Sequence, residues 1–142
     1  MGNGSATSIT TQNQFVPAAG TYTGTTIQQS VGDWTGPSGS GITYSYSDPK
    51  LVKINATVCW LLGSQGLSQK CPLAIGVNSV PIGASISGGV LDDQASSYPR
   101  TASVTAVALL SPGDVVSLMV ANLTTTLSDI TVECLSMVIT EL

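Results

Sequence analysis

Apolar and polar side chains alternate along several stretches of the chain, most clearly from Leu51 to Leu62. The even-numbered positions there are apolar, whereas Lys53 and Thr57 lie among the odd-numbered ones. Because successive side chains of a β-strand point to opposite faces, this alternation predicts a strand with one buried face. Residues 101–110 and 116–120 show the same period and predict two further strands.

Turn-forming residues separate the alternating stretches. The segment Ser111-Pro112-Gly113-Asp114 combines a proline, which fixes φ, with a glycine that accepts positive φ, and it predicts a tight turn. Residues 47–50 and 78–79 carry similar turn chemistry. No segment has a convincing helical period, so we expect an all-β, antiparallel sandwich of about eight to nine strands.

The last stretch, residues 130–142, departs from simple alternation. Leu135, Met137 and Ile139 are apolar, and so is Val138 at the opposite parity. A strand with one face in water would not carry apolar residues on both faces, so we predict a last strand that is covered on both sides. The cover is either a second copy of the chain or another part of the same chain.

Composition narrows the classes of function. The 142 residues suit one domain, and the 8 acidic and 4 basic residues give a net charge of −4. Charged residues make up 8 %, against roughly 25 % in an average soluble protein. The basic residues are scattered and no apolar run reaches membrane-spanning length, so we expect neither a nucleic-acid nor a membrane partner.

We expect no enzyme and no cofactor, because the chain has no histidine and shows no nucleophile–base or metal-ligand pattern. Asp92 and Asp93 are adjacent. They are interpreted as solvated turn residues, with a calcium site as the alternative.

Because the chain has three cysteines, at least one of them has no disulfide partner within the chain. Cys59 and Cys71 flank a polar turn at residues 63–66 and predict either a disulfide across a hairpin or two buried free thiols. Cys134 lies in the terminal apolar run and is predicted to be a small core residue.

Residues 1–14 are polar, with little to bury, and predict an extended or flexible N-terminal arm before a domain at residues 15–142. The arm either lies across a neighbouring molecule or is disordered. Two segments rich in turn formers, residues 33–41 and 88–98, are candidate recognition loops. Their candidate residues are Trp34, which is either an anchor beneath its loop or an exposed contact, and Asp92, Asp93 and Tyr98.

Four runs of the chain together carry a family resemblance: LVKINATVCWLL, PLAIGVNSVPI, RTASVTAVALLSPGDVVSLMVAN and ITVECLSMVITEL. Over roughly residues 42–142 the chain resembles the jelly roll shared by tumour necrosis factor and the globular heads of complement-type proteins. The resemblance implies a jelly-roll β-sandwich that forms a homotrimer, with central strands buried around a threefold axis. It places Leu135, Met137 and Ile139 at the trimer interface.

Relatives in animals and on spores usually carry a signal, an anchor or a Gly-X-Y stalk, and no such segment is recognised here. The resemblance therefore favours a trimeric capsid decoration (cement) protein of a tailed bacteriophage, located on the capsid exterior with the major capsid protein as its partner. The arm, with Ser5, Ser8, Ile9 and Phe15, is the expected capsid contact. The alternative is a phage fibre tip, or a spore or cell-surface head, that binds a glycan or protein receptor.

Overall fold

The computed structural model describes residues 6–19, 34–38, 41–63, 69–87, 90–91, 99–124 and 128–142. Within these ranges the chain is almost entirely strand and turn, with a single short 3₁₀ helix, η1 (Gly83–Ser85). No helix in the described ranges is long and apolar enough to cross a membrane. The prediction of an all-β chain is confirmed.

Twelve strands form in the described residues, and three of them, β5, β10 and β12, have more than ten residues each. The strands are β1 (Ala6–Thr7), β2 (Val16–Pro17), β3 (Trp34–Ser38), β4 (Gly41–Tyr44), β5 (Lys50–Leu62), β6 (Gln69–Lys70), β7 (Leu73–Val77), β8 (Val80–Pro81), β9 (Val90–Leu91), β10 (Arg100–Leu110), β11 (Val115–Val120) and β12 (Ile130–Glu141).

Two antiparallel sheets share one hydrophobic core. The four-stranded sheet has the order β1-β12-β5-β10, and the larger sheet has the order β3-β4-β11-β7-β8, with β2 beside β11. Buried side chains from both sheets belong to a single cluster. A separate pair joins β6 to β9.

Strand β5 shows why the four-stranded sheet has two different faces. Its even-numbered side chains, from Val52 to Leu62, are at most 4 % exposed and point into the core. The register pairs them with even-numbered residues of β10, as in Ile54 with Ala106 and Ala56 with Val104. Burying one Val, Leu or Ile side chain stabilises the fold by about 1.5–3 kcal/mol, so this row fixes which face turns inward.

Strand β12 changes parity at a β-bulge. Ile130 and Val132 oppose Leu62 and Trp60, but after an irregularity between Val132 and Cys134 the odd-numbered residues take over the inward positions. The extra residue is Glu133, and one extra residue in one strand moves all later side chains to the opposite face.

The bulge accounts for the apolar residues at both parities in the terminal run. Leu135 is 8 % exposed and lies in the core, and Met137 and Ile139 pack against it, whereas Val138 is 56 % exposed on the other face. The inward row is covered by the chain's own second sheet. Within the single chain only the inward face of β12 is covered, because Val138 on the other face is exposed, so cover of that face by a second copy stays a prediction.

Strand β11 is buried on both faces. Val116, Leu118 and Val120 enter the core, and on the opposite face Ser117 and Met119 are also buried. Met119 lies directly against Gly76 of the neighbouring strand β7, where a β-carbon would collide with its sulfur. The larger sheet is thus buried on both faces along β11, whereas the four-stranded sheet has one exposed face.

The predicted tight turn at 111–114 is confirmed. Gly113 has a φ of 90°, which an L-residue with a side chain rarely adopts. The amide of Asp114 donates to the carbonyl of Ser111 over 3.0 Å, and the Ser111 amide donates to the Asp114 carboxylate over 2.7 Å. The turn at Asn78 and Ser79 is also present, with both φ values positive.

The N-terminal segment packs onto the domain as far as the structure describes it. Ala6 and Thr7 pair with β12, and Ile9 is buried in the common core. The amide of Ile9 donates to the Asp129 carboxylate over 3.3 Å, and the amide of Asn13 donates to the carbonyl of Asn122 over 3.0 Å. Ile9 therefore belongs to the same core as the predicted domain at 15–142, whereas residues 10–14 are exposed.

The cysteine pairing differs from both alternatives predicted. Cys59 forms a disulfide with Cys134, with 4.9 Å between the two α-carbons, and Cys71 is a buried free thiol. Cys59 occupies an odd, outward position of β5, so it faces away from Cys71, which belongs to the core. Cys134 lies opposite Cys59 at the bulge and is half-buried, so it is not a core residue.

The two faces of β12 predict different costs for truncation. Leu135→Ala should lower the free energy of unfolding by about 2–4 kcal/mol because it leaves a cavity in the core. Val138→Ala should change it by less than about 0.5 kcal/mol because that side chain is exposed. Urea unfolding at low protein concentration measures both, and equal costs would contradict the assigned faces.

Candidate interaction surface

No catalytic or metal-binding cluster is evident in the described residues. In the ranges that the structure covers, no three His, Cys, Asp or Glu side chains lie close enough together to hold a metal ion. The most distinctive feature is instead a surface, the outward face of the four-stranded sheet.

We call this surface the open face. It consists of the outward side chains of three adjacent strands. These are Leu51, Lys53, Asn55, Thr57, Cys59 and Leu61 of β5; Thr101, Ser103, Thr105, Val107 and Leu109 of β10; and Thr131, Cys134, Ser136, Val138, Thr140 and Leu142 at β12. Lys53 is the one charged member of this set.

One end of the open face is apolar. Five of the eight large hydrophobic side chains that are exposed in the described residues lie there, each between 46 % and 65 % exposed. We call them the apolar end: Leu51, Val107, Leu109, Val138 and Leu142. Contiguous exposed apolar patches on a soluble protein mark sites of association.

The strand register places four members of the apolar end at neighbouring positions, whereas Val138 lies opposite Asn55 and apart from them. Leu109 is directly opposite Leu51, and the amide of Leu142 donates to the carbonyl of Leu51 over 3.0 Å. Val107 lies opposite Lys53, whose aliphatic stem extends the apolar surface while its ammonium group stays in water. The patch is therefore a property of the sheet and does not depend on a loop.

The middle of the open face is polar but neutral. Thr57 and Ser103 hydroxyls lie 3.1 Å apart, and the Thr105 hydroxyl donates to the Asn55 side-chain oxygen over 3.0 Å. These cross-strand pairs satisfy part of one another's hydrogen bonding. If another protein covered this surface, fewer buried polar groups would therefore be left unpaired than if the surface were charged.

A second, smaller apolar patch lies at one edge of the sandwich. Val80 and Ile86 are exposed on either side of η1, which contacts β10. We call Val80 and Ile86 the edge patch. Val80 belongs to the larger sheet, so these exposed residues are separate from the apolar end.

An ion pair lies near the apolar end, at the start of β5. The Lys50 ammonium lies 2.7 Å from the Glu141 carboxylate and 5.8 Å from the centre of the Tyr46 ring. The hydrogen bond to Glu141 raises the pKa of Lys50. Burial raises the pKa of Tyr44, whose hydroxyl donates to the carbonyl of Asp48 over 2.7 Å. The Lys50–Glu141 pair thus joins the end of β12 to the start of β5.

The residues predicted for the trimer interface lie on the opposite side of β12 from the open face. Leu135, Met137 and Ile139 face the chain's own core, so the structure assigns the exposed position to Val138. The sequence carries a signal for the exposed apolar end. Leu51, Val107 and Leu109 are apolar, although most of the other side chains on the same face of their strands are polar.

The predicted capsid-binding arm residues are not brought together on one exposed surface. Ser8 is exposed, Phe15 is half-buried, and Ile9 is buried, so Ile9 is not available to a partner in this conformation. Ser5 lies outside the described residues. Deleting residues 1–14 would also remove Thr7 and Ile9, which are both buried, from the fold.

The predicted recognition loops are described only in part. Residues 34–38, expected in a loop, form strand β3, and Trp34 pairs with Tyr44 of β4. Asp92, Asp93 and Tyr98 lie outside the described residues, so their roles stay predictions.

Comparison of the sequence with protein-family models and with curated proteins finds no match.

Cys71 gives a test of the core beneath these surfaces. Burial raises the pKa of its thiol to about 12. In native protein at about pH 8, where an ordinary cysteine is partly ionised, iodoacetamide should therefore leave Cys71 unmodified, and the thiol should react fully after denaturation. Mass spectrometry of the alkylated chain measures this difference, and rapid labelling of the native protein would contradict the buried position.

The same shift predicts a pH dependence of stability. Because the unfolded chain loses this proton at a lower pH than the folded chain, the free energy of unfolding should fall as pH rises from about 9 towards 12. Cys71→Ala should remove this component of the pH dependence.

Proposed function

We propose that the chain is a structural subunit of a virion. It forms a homotrimeric jelly roll that decorates the exterior of a bacteriophage head, and its copies meet through the open face. The observation that carries the proposal is the concentration of exposed apolar side chains at one end of a nearly uncharged sheet face.

The strand pairing supports the jelly-roll form. Four pairs are nested along the chain, β1 with β12, β4 with β11, β5 with β10 and β7 with β8. Such nesting is expected when one long antiparallel hairpin of eight strands is rolled into two sheets, which is the jelly-roll arrangement.

The presence of two different apolar patches favours a ring over a twofold dimer. A twofold dimer uses the same patch on both partners, whereas a head-to-tail contact joins two different patches and closes into a ring when the rotation allows it. The open face belongs to the four-stranded sheet, whereas the edge patch adjoins η1 and the larger sheet. Packing the face of one copy on the edge of the next therefore turns each copy relative to the last, as a trimer requires.

Charge and cysteine chemistry support an extracellular structural role. The open face has few charged groups to desolvate, and the Cys59–Cys134 disulfide is a bond that persists in oxidising surroundings such as virion or cell surfaces. Both features favour a durable assembly outside the cytosol.

Decoration would then act through multivalency. A trimer presents three identical sets of contacts to capsid subunits around a local threefold position, and linked contacts raise the overall affinity far above that of one copy. Exposed residues beside the buried anchor Ile9, such as Ser8 and Gln12, are the capsid contacts we propose for the arm.

The trimer is tested by mass. Wild-type protein should scatter light as three times the 14.4 kDa chain. The double variant Val107→Lys/Leu109→Lys should be monomeric, because it places new charges in the interface. Leu123→Lys, which changes an exposed leucine outside the open face, is the matched control and should remain trimeric. A monomeric wild type at all concentrations would refute the trimer.

Capsid binding is tested by co-sedimentation with purified phage heads. The wild-type trimer should bind, and the monomeric double variant should bind about a hundredfold more weakly because it loses multivalency. A folded trimer that sediments only with host cells would instead support the alternative of a receptor-binding tip.

A further inference from the structure

We infer that the chain cleaves its own backbone in mild acid, at the peptide bond between Asp48 and Pro49. The side-chain carboxyl group of Asp48 is the nucleophile. The hydroxyl group of Tyr44 stabilises the negative charge that develops on the carbonyl oxygen under attack. The reaction is a property of the single chain and does not depend on the proposed assembly.

The bond between Asp48 and Pro49 is exposed and occurs once in the sequence. Only one of the seven prolines follows an aspartate. Both residues are exposed, in the connection from β4 of the larger sheet to β5 of the four-stranded sheet. Water therefore reaches this peptide group from the surrounding solvent.

The covalent structure of an Asp-Pro pair favours cleavage over the competing reaction of aspartate. A carboxyl oxygen of the side chain reaches the main-chain carbonyl carbon of its own residue by closing a five-membered ring, and such intramolecular attack has a high effective concentration. In other Asp-X pairs the next amide N–H attacks the side chain instead and gives a succinimide. Proline has no N–H, so this branch is closed.

Tyr44 holds the carbonyl oxygen that is attacked. Its hydroxyl group donates to the main-chain carbonyl oxygen of Asp48 over 2.7 Å, and that oxygen belongs to the peptide group between Asp48 and Pro49. Tyr44 is 1 % exposed and is the last residue of β4. A donor that is already in place stabilises an oxygen as it gains negative charge, most strongly where water is excluded.

Backbone contacts fix the donor, and a side-chain contact holds the nucleophile. The amide of Tyr44 donates to the carbonyl of Asp114 over 2.8 Å, and the amide of Gly113 donates to the carbonyl of Tyr44 over 2.8 Å. The Ser47 hydroxyl donates to Oδ2 of Asp48 over 3.1 Å. We assign the attack to the other carboxyl oxygen, Oδ1.

The charged and titratable groups around the site, within the described residues, are Tyr46, Lys50, Glu141 and, at the neighbouring turn, Asp114. The Lys50 ammonium lies 2.7 Å from the Glu141 carboxylate and 5.8 Å from the centre of the Tyr46 ring. Burial is the main reason why the pKa of Tyr44 is raised. Its hydroxyl group therefore keeps its proton from acid to neutral pH and remains a donor.

The reaction balances with water as the co-reactant. Oδ1 forms a bond to the carbonyl carbon of Asp48, and the Tyr44 hydroxyl donates to the oxygen of the tetrahedral adduct. The C–N bond to Pro49 then breaks, the carboxyl proton passes to the proline nitrogen, and a cyclic anhydride remains on Asp48. Water opens the anhydride to two carboxyl groups. Because the carboxyl group supplies the proton of the leaving amine, cleavage should be faster in mild acid than at pH 7.

The cleaved chain should keep both fragments under native conditions. Fragment 1–48 contains β1, which pairs with β12, and β2 and β4, which pair with β11. Fragment 49–142 contains both cysteines of the disulfide. The fragments should therefore separate on denaturation, without any reductant.

The experiment compares the full native chain with the chain unfolded in guanidinium chloride at the same pH. Rates are taken at pH 7 and at the lowest pH at which circular dichroism shows the native fold, and denaturing mass spectrometry measures fragments 1–48 and 49–142. We expect the native chain to cleave at this bond at least about tenfold faster in acid, because only the native chain has the Tyr44 hydrogen bond.

Three variants separate the roles of the side chains. Tyr44→Phe should lower the native rate to that of the unfolded chain and leave the unfolded rate unchanged. Tyr46→Phe is the matched control, since its ring centre lies 5.4 Å from that of Tyr44, and it should cleave as the wild type does. Asp48→Asn should abolish the fast reaction.

Three results would overturn the self-cleavage: equal rates in native and unfolded wild type, an unchanged native rate in folded Tyr44→Phe, or fast cleavage in Asp48→Asn. If Tyr44→Phe does not fold, the first and third comparisons still decide whether the fold drives the reaction through Asp48. None of these measurements depends on the oligomeric state, so a failure of the proposed trimer is seen separately.

Discussion

The structure depends on the antiparallel pairing of β5 with β10 on one side and β12 on the other. The even-numbered side chains of β5 enter the core, and the registers carry this choice to both neighbours. The same constraint turns a complete row of side chains from each strand outward. The core and the open face are thus two consequences of one pairing pattern, and a change in register would alter both.

The bulge in β12 lets apolar residues face the core along the whole strand while the strand stays paired with β5. Apolar residues stand at even positions before Glu133 and at odd positions after it, so a regular strand would place Ser136 and Thr140 in the core. One extra residue restores an apolar inward row and leaves Val138 outside. It also brings Cys134 opposite Cys59, so the disulfide follows from the same adjustment.

Period-two alternation is a strong local signal, and it predicts β5, β10 and β11, while the proline and glycine of residues 111–114 predict the turn between the last two. It was not sufficient for β12, because apolar residues at both parities fit either a doubly covered strand or a bulge. The disulfide depends on which residues face each other across strands, which spacing along the chain does not determine. The open face was missed because each outward apolar residue, such as Val107, is ordinary by itself; the register alone groups it with Leu51 and Val138.

The central claim is that the open face is buried between copies of this chain. Hydroxyl-radical footprinting over a range of protein concentrations tests it most directly, because it reports the solvent exposure of individual side chains. The account predicts that labelling of Leu51, Val107, Leu109 and Val138 falls as the protein associates, while labelling of Leu123 stays constant. Association without protection of the open face, or protection of Leu123 instead, would contradict it.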